Sequence, residues 1–202
     1  MLNQIKQIIH DFDYSRISLS RKKELHLLID YLTDKLKNYS EISLVFVCTH
    51  NSRRSQFAQV WAQVAATYYN LPFYSFSAGT EVTEANKRTI SSLERLGFIV
   101  SKEGKENPHY GVKYDELKNE ILLFSKDLSH SSLPKNNFAA IMTCSHADEN
   151  CPFISNCDAR IPLRYEDPKA FDNTELEKTK YDERAKEIGI EIFYIFSQLT
   201  NN

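Results

Sequence analysis

The fold of this chain is decided by residues 42–55, which read ISLVFVCTHNSRRS. Its first six residues are almost all apolar and rich in β-branched side chains, a pattern that predicts a strand buried on both faces of a parallel sheet. From Ser55 to about Asn70, apolar residues recur at helical spacing and predict a helix. A buried strand that leads through a short loop into a helix is typical of an α/β fold.

The same alternation continues along the rest of the chain. Strands are predicted at residues 73–77, 138–143 and 160–163, and helices at residues 86–96 and 174–199. We therefore expect an α/β fold with an open parallel four-stranded sheet and helices on both faces.

Residues 103–135 are less regular. They predict a hairpin that pairs residues 112–114 with residues 121–125. We interpret residues 103–135 as a surface elaboration of the α/β fold. A lid over a functional site is the alternative.

The first 40 residues predict two helices, the second of them with a candidate cap at Ser20. We interpret them as a helical N-terminal extension packed on an α/β domain formed by residues 41–202. A segment for partner binding or dimerisation is the alternative, because these residues carry no catalytic constellation.

Composition excludes several classes of function. The 202 residues include 25 basic and 27 acidic side chains, so the net charge of −2 gives no general attraction to nucleic acid. No apolar run approaches the roughly 20 residues needed to span a bilayer, and the first residues do not resemble a secretion signal. We expect no membrane partner and a cytoplasmic location. In that reducing compartment the four cysteines are not expected to form structural disulfides.

Cys48 is the candidate nucleophile, because it follows the first strand directly and precedes a helix. The N-terminus of a helix offers unpaired N–H groups and a positive dipole end, which favour both a thiolate and an oxyanion. Arg54, six residues further on, can donate two parallel bonds to a tetrahedral oxyanion. The candidate oxyanion-binding residues are Thr49, His50, Asn51, Ser52, Arg53, Arg54 and Ser55.

Residues 47–56 resemble the phosphate loop of the low-molecular-weight protein tyrosine phosphatase superfamily, which includes the thioredoxin-coupled arsenate reductases. Residues 75–79, SFSAG, resemble the motif that ends this family's second strand, and residues 166–168, EDP, resemble the loop that carries its general acid. The resemblance covers roughly residues 42–200. It implies a low-molecular-weight phosphatase-like fold and a catalytic set of Cys48, Arg54 and Asp167.

Cys144 and Cys151 flank six residues, and this segment resembles the redox segment of the thioredoxin-coupled arsenate reductases. The resemblance implies reduction of arsenate to arsenite, no bound cofactor, and thioredoxin as the external reductant. Cys144 is expected to resolve the Cys48 adduct, and Cys151 to restore Cys48 through disulfide exchange. Because a disulfide requires Cα atoms within about 7 Å, the segment between the two cysteines is expected to unwind on oxidation.

Two alternatives remain open. The first is a low-molecular-weight protein tyrosine phosphatase that hydrolyses phosphotyrosine or small phosphomonoesters through a phosphocysteine. Phosphatases of this superfamily usually carry aromatic residues directly after the Asp-Pro pair, whereas Lys169 and Ala170 follow it here. The second is a non-enzymatic oxyanion- or redox-sensing module.

A metal site is not expected. The side chains of Cys144, Cys151, Cys157 and His146 could supply four zinc ligands, but their spacing fits no common zinc-binding pattern. For Cys157 we carry over no counterpart from the family. We interpret it either as a packing residue or as a spare resolving thiol.

Three residues depart from the family pattern. His50 stands where a glycine is usual, so it either costs backbone freedom or adds a titrating neighbour to Cys48. Arg53 stands where a cysteine is frequent and is expected to point outward. Gln59 replaces a glutamate that helps some arsenate reductases bind potassium, so we expect no potassium site near Asn51 and Ser77.

Overall fold

The computed structural model describes residues 1–38, 41–150 and 153–200. Its central feature is a parallel sheet of four strands, β1 (Ile42–Cys48), β2 (Phe73–Gly79), β6 (Phe138–Met142) and β7 (Cys157–Pro162). The strands lie in the order β2-β1-β6-β7, so β1 and β6 are the inner strands. The predicted α/β fold is confirmed.

Helices cover both faces of this sheet, as predicted. They are α1 (Asn3–His10), α2 (Leu19–Asn38), α3 (Arg54–Tyr68), α4 (Lys87–Arg95), α5 (Ser145–Asn150) and α6 (Glu177–Leu199). Asn86 caps α4 by accepting the N–H of Arg88 at 2.9 Å. No helix in the described part of the chain is long and apolar enough to cross a membrane.

A second sheet was only partly predicted. Three antiparallel strands pair in the order β3-β4-β5, with bounds Ile99–Glu103, His109–Lys113 and Ile121–Leu123. The predicted hairpin is confirmed as the β4–β5 pair, in which Val112 lies opposite Ile121. The sequence of β3 carries no strong apolar signal, because its side chains are mostly exposed.

The core on one face of the large sheet is built around Trp61 of α3, which is fully buried. The rings of Phe12, Phe98 and Phe193 pack against it edge-on, with ring centroids 5.4–6.1 Å apart. Gly189 of α6 lets the two helices approach, because a Cβ there would lie 2.9 Å from the Trp61 ring.

The N-terminal helices contribute to this same core. Leu25, Leu28 and Leu32 of α2 are at most 1% exposed. Arg21 Nε donates to the buried Glu191 of α6 at 2.8 Å, which ties the two helices together. The predicted cap at Ser20 is wrong by two residues. Ser18 Oγ accepts the N–H of Arg21 at 3.2 Å, so the helix begins earlier than the apolar pattern suggested.

Candidate active site

Cys48 ends β1, at the carboxyl edge of the parallel sheet, where open α/β folds bind ligands. It lies opposite Gly79 at the end of β2 and is 4% exposed. Its Sγ is 3.1 Å from Ser55 Oγ, near the start of α3. The sulfur therefore lies at a helix N-terminus with a hydroxyl beside it, both of which stabilise a thiolate.

Asn51 holds the loop between β1 and α3 in shape. Its φ of 45° lies in the left-handed region, which asparagine tolerates better than most residues. The side chain donates to Ser55 Oγ at 2.9 Å and accepts the backbone N–H of Lys126 at 3.1 Å. The carbonyl of Asn51 accepts the Gln56 amide at 2.6 Å. Asn51 thus fixes the hydroxyl that contacts Cys48.

Gly79 explains why the motif at the end of β2 requires a glycine. A Cβ at this position would lie 2.7 Å from the carbonyl oxygen of Thr49 and 2.8 Å from the nitrogen of Asn51. Both contacts are with backbone, which cannot move aside without deforming the loop. Any side chain at position 79 would therefore displace the residues that follow Cys48.

Arg54 and Asp167 lie together. Arg54 Nη2 donates to Asp167 Oδ2 at 2.8 Å, and its Nη1 donates to the carbonyl of Tyr165 at 3.0 Å. The Nε of Arg54 is buried and has no hydrogen-bond partner. A buried donor without a partner is costly, and an oxyanion held by the loop would satisfy it.

The expectation that Arg53 points outward is wrong. Its side chain is 11% exposed and its Nε donates to Tyr181 Oη at 2.8 Å. The Tyr181 hydroxyl donates in turn to Asp172 Oδ1 at 2.7 Å, and burial raises the pKa of Tyr181 above its ordinary value. Arg53 turns inward because two acceptors from α6 and the preceding turn face it. Neither acceptor carried a sequence signal, since both lie more than 100 residues from Arg53.

Two further side chains of the loop, those of Ser52 and His50, contact the segment that follows β2. Ser52 Oγ donates to the carbonyl of Glu84 at 2.6 Å, so this hydroxyl braces the loop from behind. His50 Nε2 lies 3.2 Å from Glu81 Oε2, and His50 is not among the residues with positive φ. The expected cost in backbone freedom at His50 is therefore absent.

Cys144 follows β6, the strand beside β1, and is 2% exposed. Its Sγ lies 3.6 Å from Thr49 Oγ1, in the residue next to Cys48. It also accepts the N–H of Ala147 at 3.4 Å, while its carbonyl accepts the N–H of Asp148. Cys144 is thus the N-cap of α5. Cys48 ends β1 and Cys144 follows just beyond the end of the adjacent parallel strand β6, which brings the second candidate thiol to the loop of the first.

The α5 helix is held in place by Asp148. This carboxylate accepts Arg160 Nη2 at 2.6 Å through one oxygen and Arg164 Nε at 2.9 Å through the other. Cys151 lies outside the described residues. Asp148 therefore anchors the segment that joins Cys144 to Cys151 in the chain.

No family model matches the chain. The arsenate reductase of Staphylococcus aureus strain bovine RF122/ET3-1 is 30% identical over 113 residues, which are 55% of this chain and 67% of that protein. The arsenate reductase of Staphylococcus aureus strain Newman is 26% identical over 139 residues, 68% of this chain and 87% of that protein. In fold, the low-molecular-weight protein tyrosine phosphatase from T. tengcongensis superposes with a TM-score of 0.55 at 16% identity, covering 78% of this chain and 99% of that one.

The chain belongs to the low-molecular-weight protein tyrosine phosphatase superfamily. Its sequence relatives include arsenate reductases, and it shares its fold with a low-molecular-weight protein tyrosine phosphatase; the chain is an enzyme of this superfamily. The predicted membership of this superfamily is confirmed. The N-terminal helices lie before the segment on which the resemblance was based.

The described residues contain no cluster of side chains that could hold a metal ion. Nowhere in residues 1–38, 41–150 and 153–200 do three or more His, Cys, Asp or Glu side chains gather as ligands. At the position considered for potassium, Ser77 Oγ donates to Gln59 Oε1 at 2.6 Å. The Ser77 hydroxyl and the neutral Gln59 carboxamide are thus hydrogen-bonded to each other behind the loop of Cys48.

Proposed function

We propose that this enzyme reduces arsenate to arsenite with Cys48 as nucleophile, Cys144 and Cys151 as a disulfide relay, and thioredoxin as reductant. The observation that carries this proposal is the contact of 3.6 Å between Thr49 Oγ1 and Cys144 Sγ. A phosphatase needs one thiol, whereas a reductase needs a second one within reach of the first. The thiol chemistry also fits the reducing cytoplasm in which we expect the protein to work.

In the first step the Cys48 thiolate attacks arsenate. An S–As bond forms and an As–O bond breaks, and the departing oxygen takes a proton from Asp167 and leaves as water. Arg54 and the N–H groups at the start of α3 hold the remaining oxygens. Arg54 already lies 2.8 Å from Asp167, so both groups act at the same edge of the loop.

In the second step the thiolate of Cys144 attacks the sulfur of Cys48. The S–S bond forms as the S–As bond breaks, and the electron pair of that bond stays on arsenic. Arsenic is thereby reduced by two electrons to arsenite, while the two thiols are oxidised to a disulfide. The N–H of Ala147 and the hydroxyl of Thr49 stabilise the attacking sulfur.

In the third step Cys151 attacks Cys144, which releases the Cys48 thiolate and leaves a Cys144–Cys151 disulfide. The dithiol of thioredoxin then reduces this disulfide and becomes oxidised itself. The helix between the two cysteines has to unwind for this exchange, because a rigid helix keeps their Cα atoms too far apart.

The test measures arsenite release with thioredoxin, thioredoxin reductase and NADPH. We expect Cys151→Ser to stop repeated turnover but to release one arsenite per protein, because the first two steps need only Cys48 and Cys144. Cys157→Ser is the matched control and should keep full turnover. Sustained turnover by Cys151→Ser would overturn the relay.

Hydrolysis of p-nitrophenyl phosphate is measured in parallel with arsenite release, and it decides between the reductase and the phosphatase. A phosphatase would hydrolyse this ester rapidly, release no arsenite, and be unaffected by Cys144→Ser. The absence of both activities, with oxyanion binding retained, would favour a sensing module.

A further inference from the structure

A cleft of about 650 Å³ lies behind the loop of Cys48, between α3, β2 and β5. None of residues 48–55 lines it, so it is separate from the site described above. Its volume lies within the range of about 300–1,000 Å³ typical of small-molecule sites and is far larger than a tetrahedral oxyanion needs.

The unusual group in this cleft is Lys126, which is 3% exposed. Its ammonium donates to the carbonyl of Phe124 at 3.3 Å and lies 4.2 Å from the centre of the Phe124 ring. An ammonium has three donors, and within the described residues this carbonyl is the one acceptor found for it. Burial lowers the pKa of Lys126 to about 8, so at neutral pH the group is still mostly charged.

A buried cation without a carboxylate is an unfavourable arrangement that an anion would relieve. Two charged groups share the cleft with Lys126. The carboxylate of Glu120 is 3.4 Å from Ser101 Oγ, and no salt bridge joins it to Lys126 among the residues described. Lys118 adds a second positive charge at the exposed rim. The electrostatics of the cleft therefore favour a negative ligand.

The rim of the cleft indicates that the ligand also has an apolar body. Tyr74 of β2 and Leu122 of β5 are 47% and 48% exposed, and both line the cleft. Large apolar side chains that flank a buried charge are typical of sites for small organic ions, in which a few polar groups fix the orientation.

An extended peptide is a poorer occupant, although β2 is an edge strand. The Gln63 carboxamide already accepts the N–H of Ser75 at 3.1 Å and donates to the carbonyl of Phe73 at 3.4 Å. These are the backbone groups that a further strand would need. The edge of β2 is thus covered by a side chain from α3.

We propose that this cleft binds a small organic carboxylate with an aromatic or aliphatic body, whose negative group pairs with Lys126. The site is linked to the nucleophile through hydrogen bonds. The backbone N–H of Lys126 donates to Asn51, whose amide donates to Ser55, and the Ser55 hydroxyl contacts Cys48 Sγ. We therefore expect a ligand in the cleft to affect the position of Ser55 beside Cys48.

The test uses benzoate as the probe and benzamide as its neutral counterpart, followed by NMR on the full, isotopically labelled chain. We expect saturable binding of benzoate, with intermolecular NOEs from its ring protons to the Leu122 methyl groups and the Phe124 ring. Benzamide should bind at least tenfold more weakly, because it lacks the charge. This comparison needs no variant and is independent of folding.

Lys126→Met removes the charge and keeps the length of the side chain, and it should weaken benzoate binding at least tenfold. Lys118→Met, in the same cleft but exposed, is the matched control and should change the affinity less than twofold. Equal binding of benzoate and benzamide would overturn the proposal. So would unchanged affinity in Lys126→Met, or NOEs confined to the loop of residues 48–55.

Discussion

Thr49 Oγ1 lies 3.6 Å from Cys144 Sγ and 3.2 Å from His146 Nδ1, so one hydroxyl contacts both the second candidate thiol and an imidazole. Thr49 follows Cys48 directly, and Thr143 precedes Cys144 and donates to the carbonyl of Val47 at 2.7 Å. The two strand ends are thus joined on both sides of the sulfurs. A change at Thr49 should affect the second thiol more than the first.

Thr49→Val tests this relationship, because valine keeps the shape and removes the hydroxyl. We expect arsenite release in a single turnover to slow about tenfold, the effect of losing one hydrogen bond to a charged group. Rapid-quench measurement of arsenite supplies the rate. Alkylation of Cys48 by iodoacetamide serves as the control and should stay within twofold. Equal loss in both measurements would mean that Thr49 shapes the whole loop instead.

Asp148→Asn should weaken the attachment of α5, because the two arginine partners lose their shared carboxylate. We expect faster amide hydrogen exchange in residues 145–150 of the reduced protein and faster reduction of the oxidised protein by thioredoxin. Glu149→Gln, an exposed neighbour, is the matched control. In the oxidised wild-type protein these amides should lose protection. Retained protection there would contradict unwinding of the segment.

Lys126 should make stability depend on pH in the alkaline range. Its pKa is about 8 in the folded protein, against 10.5 as the ordinary value, so between these values the unfolded chain binds more protons and stability rises with pH. Lys126→Met should therefore be more stable than the wild type by about 3 kcal/mol at pH 7 and by only about 1 kcal/mol at pH 10.

Urea unfolding at the two pH values measures this difference. Lys118→Met, which removes an exposed lysine, should show no comparable change. A pH-independent gain in Lys126→Met would mean that the extra stability comes from apolar packing alone.

Leu32→Ala tests whether the N-terminal helices are part of the core. Leu32 is fully buried, so the substitution should lower the free energy of unfolding by about 2–5 kcal/mol. Leu27, on the same helix, is 53% exposed, and Leu27→Ala should cost less than about 1 kcal/mol. Differential urea unfolding of the two variants supplies the measurement. Equal, small effects would show that α2 packs too loosely to stabilise the domain.

Local sequence patterns were sufficient for the parallel sheet and its helices. Val45 and Phe46 belong to a nearly continuous apolar run, and such runs are buried on both faces of a sheet. The position of Cys48 at a strand end followed from the same pattern. The exact start of α2 did not, because the apolar pattern pointed to Ser20 whereas in the fold Ser18 accepts the N–H of Arg21.

Contacts between residues far apart in the chain could not be predicted from local sequence patterns. The inward turn of Arg53 depends on Tyr181, which lies 128 residues away in the chain. The buried position of Lys126 was also not predicted, since a lone lysine after a short strand usually indicates a solvent-exposed turn. Asp167, the candidate general acid, was predicted only through the family motif. Its pairing with Arg54 depends on the turn that brings residues 165–168 back to the loop.

The capping of α5 by Cys144 makes the proposed resolving sulfur and the helix cap the same atom. Once Cys144 Sγ is bonded to another sulfur, the N–H of Ala147 loses a good acceptor at the moment of oxidation. On the proposed relay, oxidation of Cys144 and loosening of the helix are then a single event that needs no separate trigger. The Ala147 amide resonance should accordingly serve as a built-in spectroscopic reporter of how much of the enzyme is oxidised during turnover.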